Sequence, residues 1–416
     1  MQAQFSQDWS GPVAHAGRYR ILDSLRGIAL LGICLANFPE FALYTFQKKE
    51  VVEAMSTAGI DRVIKYLQYI FIDGKFYTMF SILFGTGFSI IISKSLEKGS
   101  SLALFYRRMA ILVIIGVLHL MFIWSGDILL LYALLGMLLP LFRNVSDRKL
   151  LTLSVLLILF PIVMDTVKAV SGNRFDLSAP VVRATQHFNS LSGITDDNFG
   201  VWLLEGKSYA DVLKFLVSGA FIRMQEFIEG NRVFKVFGLF LLGLYIGRNR
   251  IYARLEENKA LLKKVSLYGF AAGLPLSAVY AWNALNAHPL GPVGHSVIYA
   301  ASVVPLSIAY MSAISLRSMA KKRHAVLDML AAPGRMVLTN YIGQSVFGII
   351  IFYGIGLGFG ATTGLVYVEL TAAGVFFLQM LYSRLWLRYM QFGPLEWIWR
   401  MLAYRKRLRI MNSKLN

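Results

Sequence analysis

From Met109 to Phe142 the chain runs 34 residues with one formal charge, Asp127, and one histidine, His119. A stretch apolar on every side belongs in a lipid bilayer or at the centre of a large core. Comparable runs recur from end to end. Hydrophobic residues make up 56% of the chain and charged residues 16%, against about 25% charged in ordinary soluble domains. The expected fold is an all-α polytopic integral membrane protein. Strand barrels are excluded because the runs are continuously apolar rather than alternating.

Ten spans are expected: Gly27–Ala42, Tyr77–Ser93, Met109–Trp124, Ile128–Phe142, Leu150–Val167, Val236–Gly247, Val265–Leu285, Val297–Leu316, Met336–Leu357 and Leu365–Tyr382. The Val236 span is short and is expected to start earlier. With the N-terminus inside and the spans alternating, 29 of the 42 Lys and Arg residues fall on inner segments. Three outer turns carry none. The other 13 lie in two long outer segments, where charge directs topology weakly. Both termini are therefore expected in the cytoplasm, and the net charge of +19 reads as positive-inside anchoring rather than as a nucleic-acid surface. Polar residues up to Arg20 lead into the first apolar run without a signal-peptide cleavage pattern.

Three regions follow. Residues 1–167 form an N-terminal membrane half of five spans and the candidate catalytic core. Residues 168–235 form the larger outer segment. Residues 236–416 hold five more spans and a basic tail, Gly393–Arg409, whose Trp, Tyr, Arg and Lys suit an amphipathic helix at the inner surface. Within the outer segment, Asp211–Ile228 places Leu213, Leu216, Ala220, Met224 and Phe227 on one helical face. It is expected to lie on the outer leaflet as an interfacial helix or lid, or to pack on other outer residues.

Polar residues at membrane depth are expensive and mark function by default. Toward the inside, Arg26, Arg107, Arg108 and Arg335 open spans, and Asn340 and Gln344 continue from Arg335 along one helix face. Such a set can hold the phosphates of a nucleotide-like ligand; the plainer reading of any one arginine is anchoring. Toward the outside lie Asn37, Asp73, Lys75, His119, Trp124, Asp127 and Glu369. Asp73 can also cap a helix, Lys75 can snorkel, and Glu369 can be an interfacial carboxylate. The spans flanking Ser125-Gly126-Asp127 are short, which sinks their turn below the outer surface, where irregular backbone must line a cavity or be buried in protein. Asp127 can cap the second helix. His119, about 8 Å deeper than Trp124 on a straight helix, can serve as a general base near neutral pH or as a helix–helix hydrogen bond.

Other chemistries find little support. The single cysteine, Cys34, permits no disulfide framework. The six histidines show no HxxxH or HExxH spacing, so no metal site is expected. GTGFS at Gly85–Ser89 reads as close helix packing, and there is no G-x-S-x-G elbow.

Five blocks resemble one family: LDSLRGIALLGICLANF (Leu22–Phe38), FIDGKFYTMFSILFGTGFS (Phe71–Ser89), the hairpin from FYRRM to HLMFIWSGDILLLYALLG, GRMVLTNYIGQS (Gly334–Ser345) and GPLEWIWR (Gly393–Arg400). They are similar to the YeiB-type bacterial membrane proteins, whose C-terminal half is called domain of unknown function 418. That family is grouped by resemblance with transmembrane acyltransferases, including the lysosomal heparan-α-glucosaminide acetyltransferase and the acyltransferase-three enzymes of bacterial surface glycans. The resemblance implies a bacterial inner-membrane protein. It would take an acetyl-type group from cytoplasmic acyl-CoA, a co-substrate rather than a tightly bound cofactor. The acceptor would be an envelope glycan or lipid-linked molecule on the far side. Arg26, Arg107, Arg108, Arg335, Asn340 and Gln344 would then hold the acyl-CoA. A homo-oligomer is compatible with the sequence.

One departure matters. Acyltransferase-three enzymes carry Arg, ten residues, then His in the first span; here Arg26 is followed at that interval by Asn37. The heparan-type histidine lies in the loop after the first span, and Phe38–Lys75 contains none. His119 is therefore the expected base, with Asn37 or Lys75 stabilising the oxyanion and Asp73 and Asp127 beside them. Two other classes remain: a permease with His119, Asp127 and Glu369 on a proton or substrate path, and a non-catalytic relative that binds a lipid or partner.

The charge pattern makes a topological prediction. Cysteines introduced as Ser190→Cys and Ser146→Cys should differ in intact cells: a membrane-impermeant maleimide should label Ser190→Cys and leave Ser146→Cys unlabelled until the membrane is opened. The reverse pattern would invert the assigned sidedness.

Overall fold

The computed structural model describes residues 19–97, 102–172, 174, 177–320 and 325–412. Among them the chain is helical, with no strand beyond one isolated bridge between Met390 and Met411. Arg18, Lys98, Lys321, Lys322, Arg323 and Lys414, which enter the charge count, lie outside the described residues.

The first half comprises α1 (Arg20–Phe41), α2 (Lys49–Glu53), α3 (Ala58–Phe71), α4 (Lys75–Glu97), α5 (Ala103–Phe122), α6 (Leu129–Gly136) and α7 (Asp147–Val170). The segment after it folds as α8 (Ala179–Ser192), α9 (Trp202–Glu205) and α10 (Tyr209–Glu229). The second half comprises α11 (Arg232–Arg248), α12 (Lys259–Leu285), α13 (Gly291–Ser318), α14 (Ala325–Arg335), α15 (Val337–Phe352), α16 (Leu365–Tyr389) and α17 (Pro394–Tyr404).

Seven of these segments are long and apolar enough to cross a membrane: α1, the stretch Ala58–Ser93 through α3 and α4, α5, α7, α12, α13 and α16. Helices α14 and α15 pass together as an eighth, bent by 83°. Two segments that the sequence marks as spans are helical but shorter. Helix α11 has 17 residues and starts at Arg232, four residues before the expected Val236. Helix α6 has only 8 residues, a rise of about 12 Å against about 30 Å of hydrocarbon. It stops because Gly136 is followed by a tighter turn at Leu139–Phe142 that contains Pro140, whose ring lacks the N–H an α-helix needs.

The connections gather at two ends. At one, Arg20 pairs with Asp328 at 2.6 Å, and Arg248 donates to the carbonyls of Phe142, Arg143 and Val145 and to Asp147. There too Trp399 donates to the Arg108 carbonyl at 2.9 Å. This is the basic face. At the opposite face, Lys48 pairs with Asp197, holding that carboxyl below its usual range, and Gly354 N–H donates to Leu203 O at 2.8 Å.

Glycine sets a close contact between α4 and α11. A Cβ on Gly85 would stand 2.3 Å from the Phe240 carbonyl, and one on Gly243 would stand 2.2 Å from that of Ile82. Only hydrogen fits there, so α4 and α11 meet backbone to backbone. The packing expected of Gly85–Ser89 is present.

The break between α14 and α15 has a built cap. Glu396 of α17 accepts from Leu338 N–H at 2.7 Å and Thr339 N–H at 3.1 Å, while the Thr339 hydroxyl donates to its other oxygen at 2.6 Å. Free N–H groups at a new helix start are thereby satisfied inside the protein.

Helix α10 packs on α5, α8, α9 and α11. The face it buries is Val212, Phe215, Leu216, Gly219 and Arg223, rotated from the expected one; Met224 is 52% exposed. Small Gly219 lets the helix settle on Ser125, whose Oγ would lie 2.4 Å from a Cβ there.

The glycine contact is testable. Gly85→Val should lower the thermal midpoint in detergent by the equivalent of about 1–3 kcal/mol or more, the usual cost of overpacking. Gly374→Val, at a position with open space around it, should leave the midpoint unchanged.

Candidate functional site

Helix α5 ends at Phe122, and the N–H groups of Ile123 and Trp124 both converge on the His119 carbonyl, at 2.9 and 2.8 Å. The straight-helix rise therefore does not extend to Trp124. The indole folds back until its ring lies 6.2 Å from the His119 ring. Trp124, Ser125 and Asp127 are all buried, so the sunken turn is covered by protein. Its lid is α10: Arg223 donates to the Ser125 carbonyl at 3.1 Å, and the Tyr209 hydroxyl donates to the Phe122 carbonyl.

Asp127 uses both oxygens. Oδ1 accepts from Leu130 N–H at 2.8 Å, capping α6. Oδ2 lies 2.8 Å from Nδ1 of His119. The other imidazole nitrogen, Nε2, lies 2.9 Å from the Ser345 hydroxyl on α15. His119, Asp127 and Ser345 are each 1% exposed. As a carboxylate Asp127 can only accept, which makes Nδ1 the donor and leaves Nε2 to accept from Ser345. The three side chains form an acid–base–hydroxyl chain with the connectivity of a nucleophilic triad, recognised by geometry rather than by sequence order. The Tyr341 ring, one turn before Ser345, lies 5.3 Å from the imidazole.

Beside this chain stands a second polar group. Arg223 pairs with Glu226 and lies 4.0 Å from Glu40. Asn37 is half-buried on α1, three residues before Glu40 and so near the same helix face.

Asp73 and Lys75 belong to a different cluster. The Tyr280 hydroxyl donates to Asp73 at 2.5 Å. Lys75, fully buried, donates to the Tyr69 carbonyl at 2.5 Å and lies 5.0 Å from the centre of the Tyr280 ring. Glu369 accepts from Gln68 at a groove of about 300 Å³ between α3 and α16. The residues grouped on one side by sequence thus resolve into different places: His119 with Asp127 and Trp124, Asp73 with Lys75 near Tyr280, and Glu369 with Gln68.

Toward the basic face, Arg26 pairs with Asp23 at 3.2 Å. Arg108 lies 4.7 Å from the centre of the Trp399 ring, Arg107 is half-buried on α5, and Arg335 donates to the Gln391 carbonyl at 3.4 Å. Asn340 donates to Ser383 at 2.9 Å and Gln344 to Gln379 at 3.1 Å, with Gln379 returning a bond to the Asn340 carbonyl. The polar stripe therefore ties α15 to α16. An open cavity of about 430 Å³ nearby is lined by Arg20, Asp328 and Arg384. Among the described residues no group of His, Cys, Asp and Glu could hold a metal.

Ser345, Glu40 and Arg223 were not singled out from sequence. Ser345 closes a quoted block and follows Gln344 on the polar stripe, a usable but weak signal. Arg223 is the one charged residue between Lys214 and Glu226 on α10, which is the stronger one.

Residues 246–406 match the family described as protein of unknown function (DUF418). That region includes Ser345 and Glu396, while His119 and Asp127 lie outside it. The chain is similar over its length to the uncharacterized protein YxaH of Bacillus subtilis, with 29% identity covering 93% of this chain and 94% of that one. It is 28% identical to an uncharacterized 39.9 kDa protein in the amylase 3′ region of Bacillus acidopullulyticus, covering 97% and 99%. It is 25% identical to the uncharacterized protein YeiB of Escherichia coli, covering 92% and 96%. These matches support the YeiB-type resemblance. No solved structure matches.

The two duties of Asp127 can be separated. Asp127→Asn keeps an oxygen for Leu130 N–H, whereas Asp127→Ala loses the cap as well. In thermal unfolding in one detergent, Ala should be the less stable of the two by about 1 kcal/mol; equal stability would mean that the cap contributes nothing.

Proposed function

We propose that the protein is a membrane-embedded acyltransferase of the bacterial inner membrane, with both termini cytoplasmic. It takes an acetyl-type group from acyl-CoA at the basic face and delivers it to an envelope glycan or lipid-linked acceptor at the opposite face. The observation that carries this reading is the buried Asp127–His119–Ser345 chain.

Each residue has a role set by its contacts. Asp127 orients the imidazole and stabilises the imidazolium that forms. His119 takes a proton from the attacking hydroxyl or amine and returns it to the leaving group. Of the two expected donors to the developing oxyanion the role falls to Asn37, since Lys75 is engaged with Tyr69 and Tyr280. Acyl-CoA phosphates would meet Arg26, Arg107 and Arg335, with Arg20 and Arg384 lining the open cavity beside them. Arg108, stacked on Trp399, and Asn340 and Gln344, bonded to α16, would hold the helices that frame this entry.

A second reading, a proton-coupled permease, draws on the further ionisable groups Glu40, Asp73 and Glu369 at membrane depth. The two readings part in one experiment. Purified protein should bind acyl-CoA, more weakly as Arg26→Ala or Arg335→Ala, and should release CoA in the presence of a membrane-envelope extract. His119→Ala should keep binding and lose that release. No binding at millimolar acyl-CoA, together with uptake of a labelled solute into vesicles, would favour the permease.

A further inference from the structure

Both nitrogens of His119 are occupied within the protein, Nδ1 by Asp127 and Nε2 by Ser345. An acceptor that came directly to the imidazole would have to displace Ser345. Ser345 itself needs no such step, because its hydroxyl already donates to the base. Its orientation is also unlike that of several other serines in the apolar helices. Ser81, Ser307 and Ser315 return their hydroxyls to the carbonyl four residues back, on Tyr77, Val303 and Met311. That is the default for a serine in an apolar helix. The contact described for the Ser345 hydroxyl is instead to an imidazole on a helix 226 residues away in sequence.

Resting on the acyl-transfer reading above, we propose that Ser345 is the nucleophile, and that the acyl group passes through a covalent ester on its Oγ. In the first half, Ser345 Oγ bonds to the thioester carbonyl carbon and the C–S bond of acyl-CoA breaks. The Oγ proton goes to His119 Nε2 and then to the departing CoA thiolate. In the second half, an acceptor hydroxyl or amine gives its proton to His119 and bonds to the acyl carbon. The Ser345 Oγ–acyl bond breaks, and Oγ leaves with that proton. Atoms and charge balance without an oxidant or reductant.

The position suits this division of labour. Ser345 lies in the middle of α15, eight residues and about 12 Å along its axis from Val337, past the 83° bend that separates it from Arg335 on α14. A covalent stop there lets donor and acceptor act at different times from different faces. Burial keeps water from an ester that would otherwise hydrolyse. Entry of the thioester requires the packing around Ser345 to open.

The test uses purified full-length protein and acetyl-CoA carrying a labelled acetyl group, with no acceptor. The expected result is label retained on the denatured protein and located at Ser345 by peptide mass spectrometry. Exchange of acetyl between acetyl-CoA and free labelled CoA should accompany it. Ser345→Ala should lose both. Ser345→Cys should take the label as a hydroxylamine-labile thioester, which separates loss of the nucleophile from loss of fold. CoA release to an acceptor with no label on the protein, and undiminished in Ser345→Ala, would overturn the covalent step and leave acyl transfer standing. Absence of acetyl-CoA binding in the folded wild-type protein would overturn acyl transfer itself, and this inference with it.

Discussion

The centre of this protein is organised by one carboxylate that satisfies two obligations. Breaking a helix inside a bilayer leaves N–H groups with no water to bind, a cost of several kcal/mol for each group. The α5–α6 hairpin turns inside the protein, and Asp127 answers for the start of α6 with one oxygen and fixes His119 with the other. The imidazole then reaches α15. Cap, base and the tie between the two halves of the chain are one hydrogen-bonded unit. Removing any member leaves a buried polar group unpaired.

The same economy recurs at the other break. The bend between α14 and α15 exposes a fresh helix start, and Glu396 closes it from α17. Asn340 and Gln344 then fasten α15 to α16. Ser345 is thus carried on a helix held at its start and along its side, which is what a reacting group needs if its geometry is to persist. Helix α10 closes the assembly by laying Gly219 and Arg223 over the hairpin turn.

Much of this was legible in the residues. Apolar runs mark helices because a bilayer rewards continuous hydrophobicity and forbids open backbone, and a helix lies within every expected span. The turn at Ser125–Asp127 was readable from its polar residues, and the packing role of Gly85 from the absence of a side chain. The errors have physical causes. The length of α6 was overestimated because hydropathy does not register where Pro140 tightens the helix. The buried face of α10 was misassigned because Gly219 and Arg223 rank as poorly hydrophobic. One is buried for its smallness and the other for its hydrogen bonds.

Sequence alone determined that the chain is built of apolar helices, several of them long enough to cross a membrane, and that His119 and Asp127 sit beside a turn. Those properties are local: each depends on a residue's own polarity and on neighbours within a helical turn or two. The grouping of polar residues was decided by tertiary structure. Asp73 and Lys75 joined Tyr280, Glu369 joined Gln68, and Ser345 joined His119 across 226 residues. Periodicity carries no information about which helix faces which. That choice belongs to packing, where glycine contacts and the need to satisfy every buried donor select one arrangement.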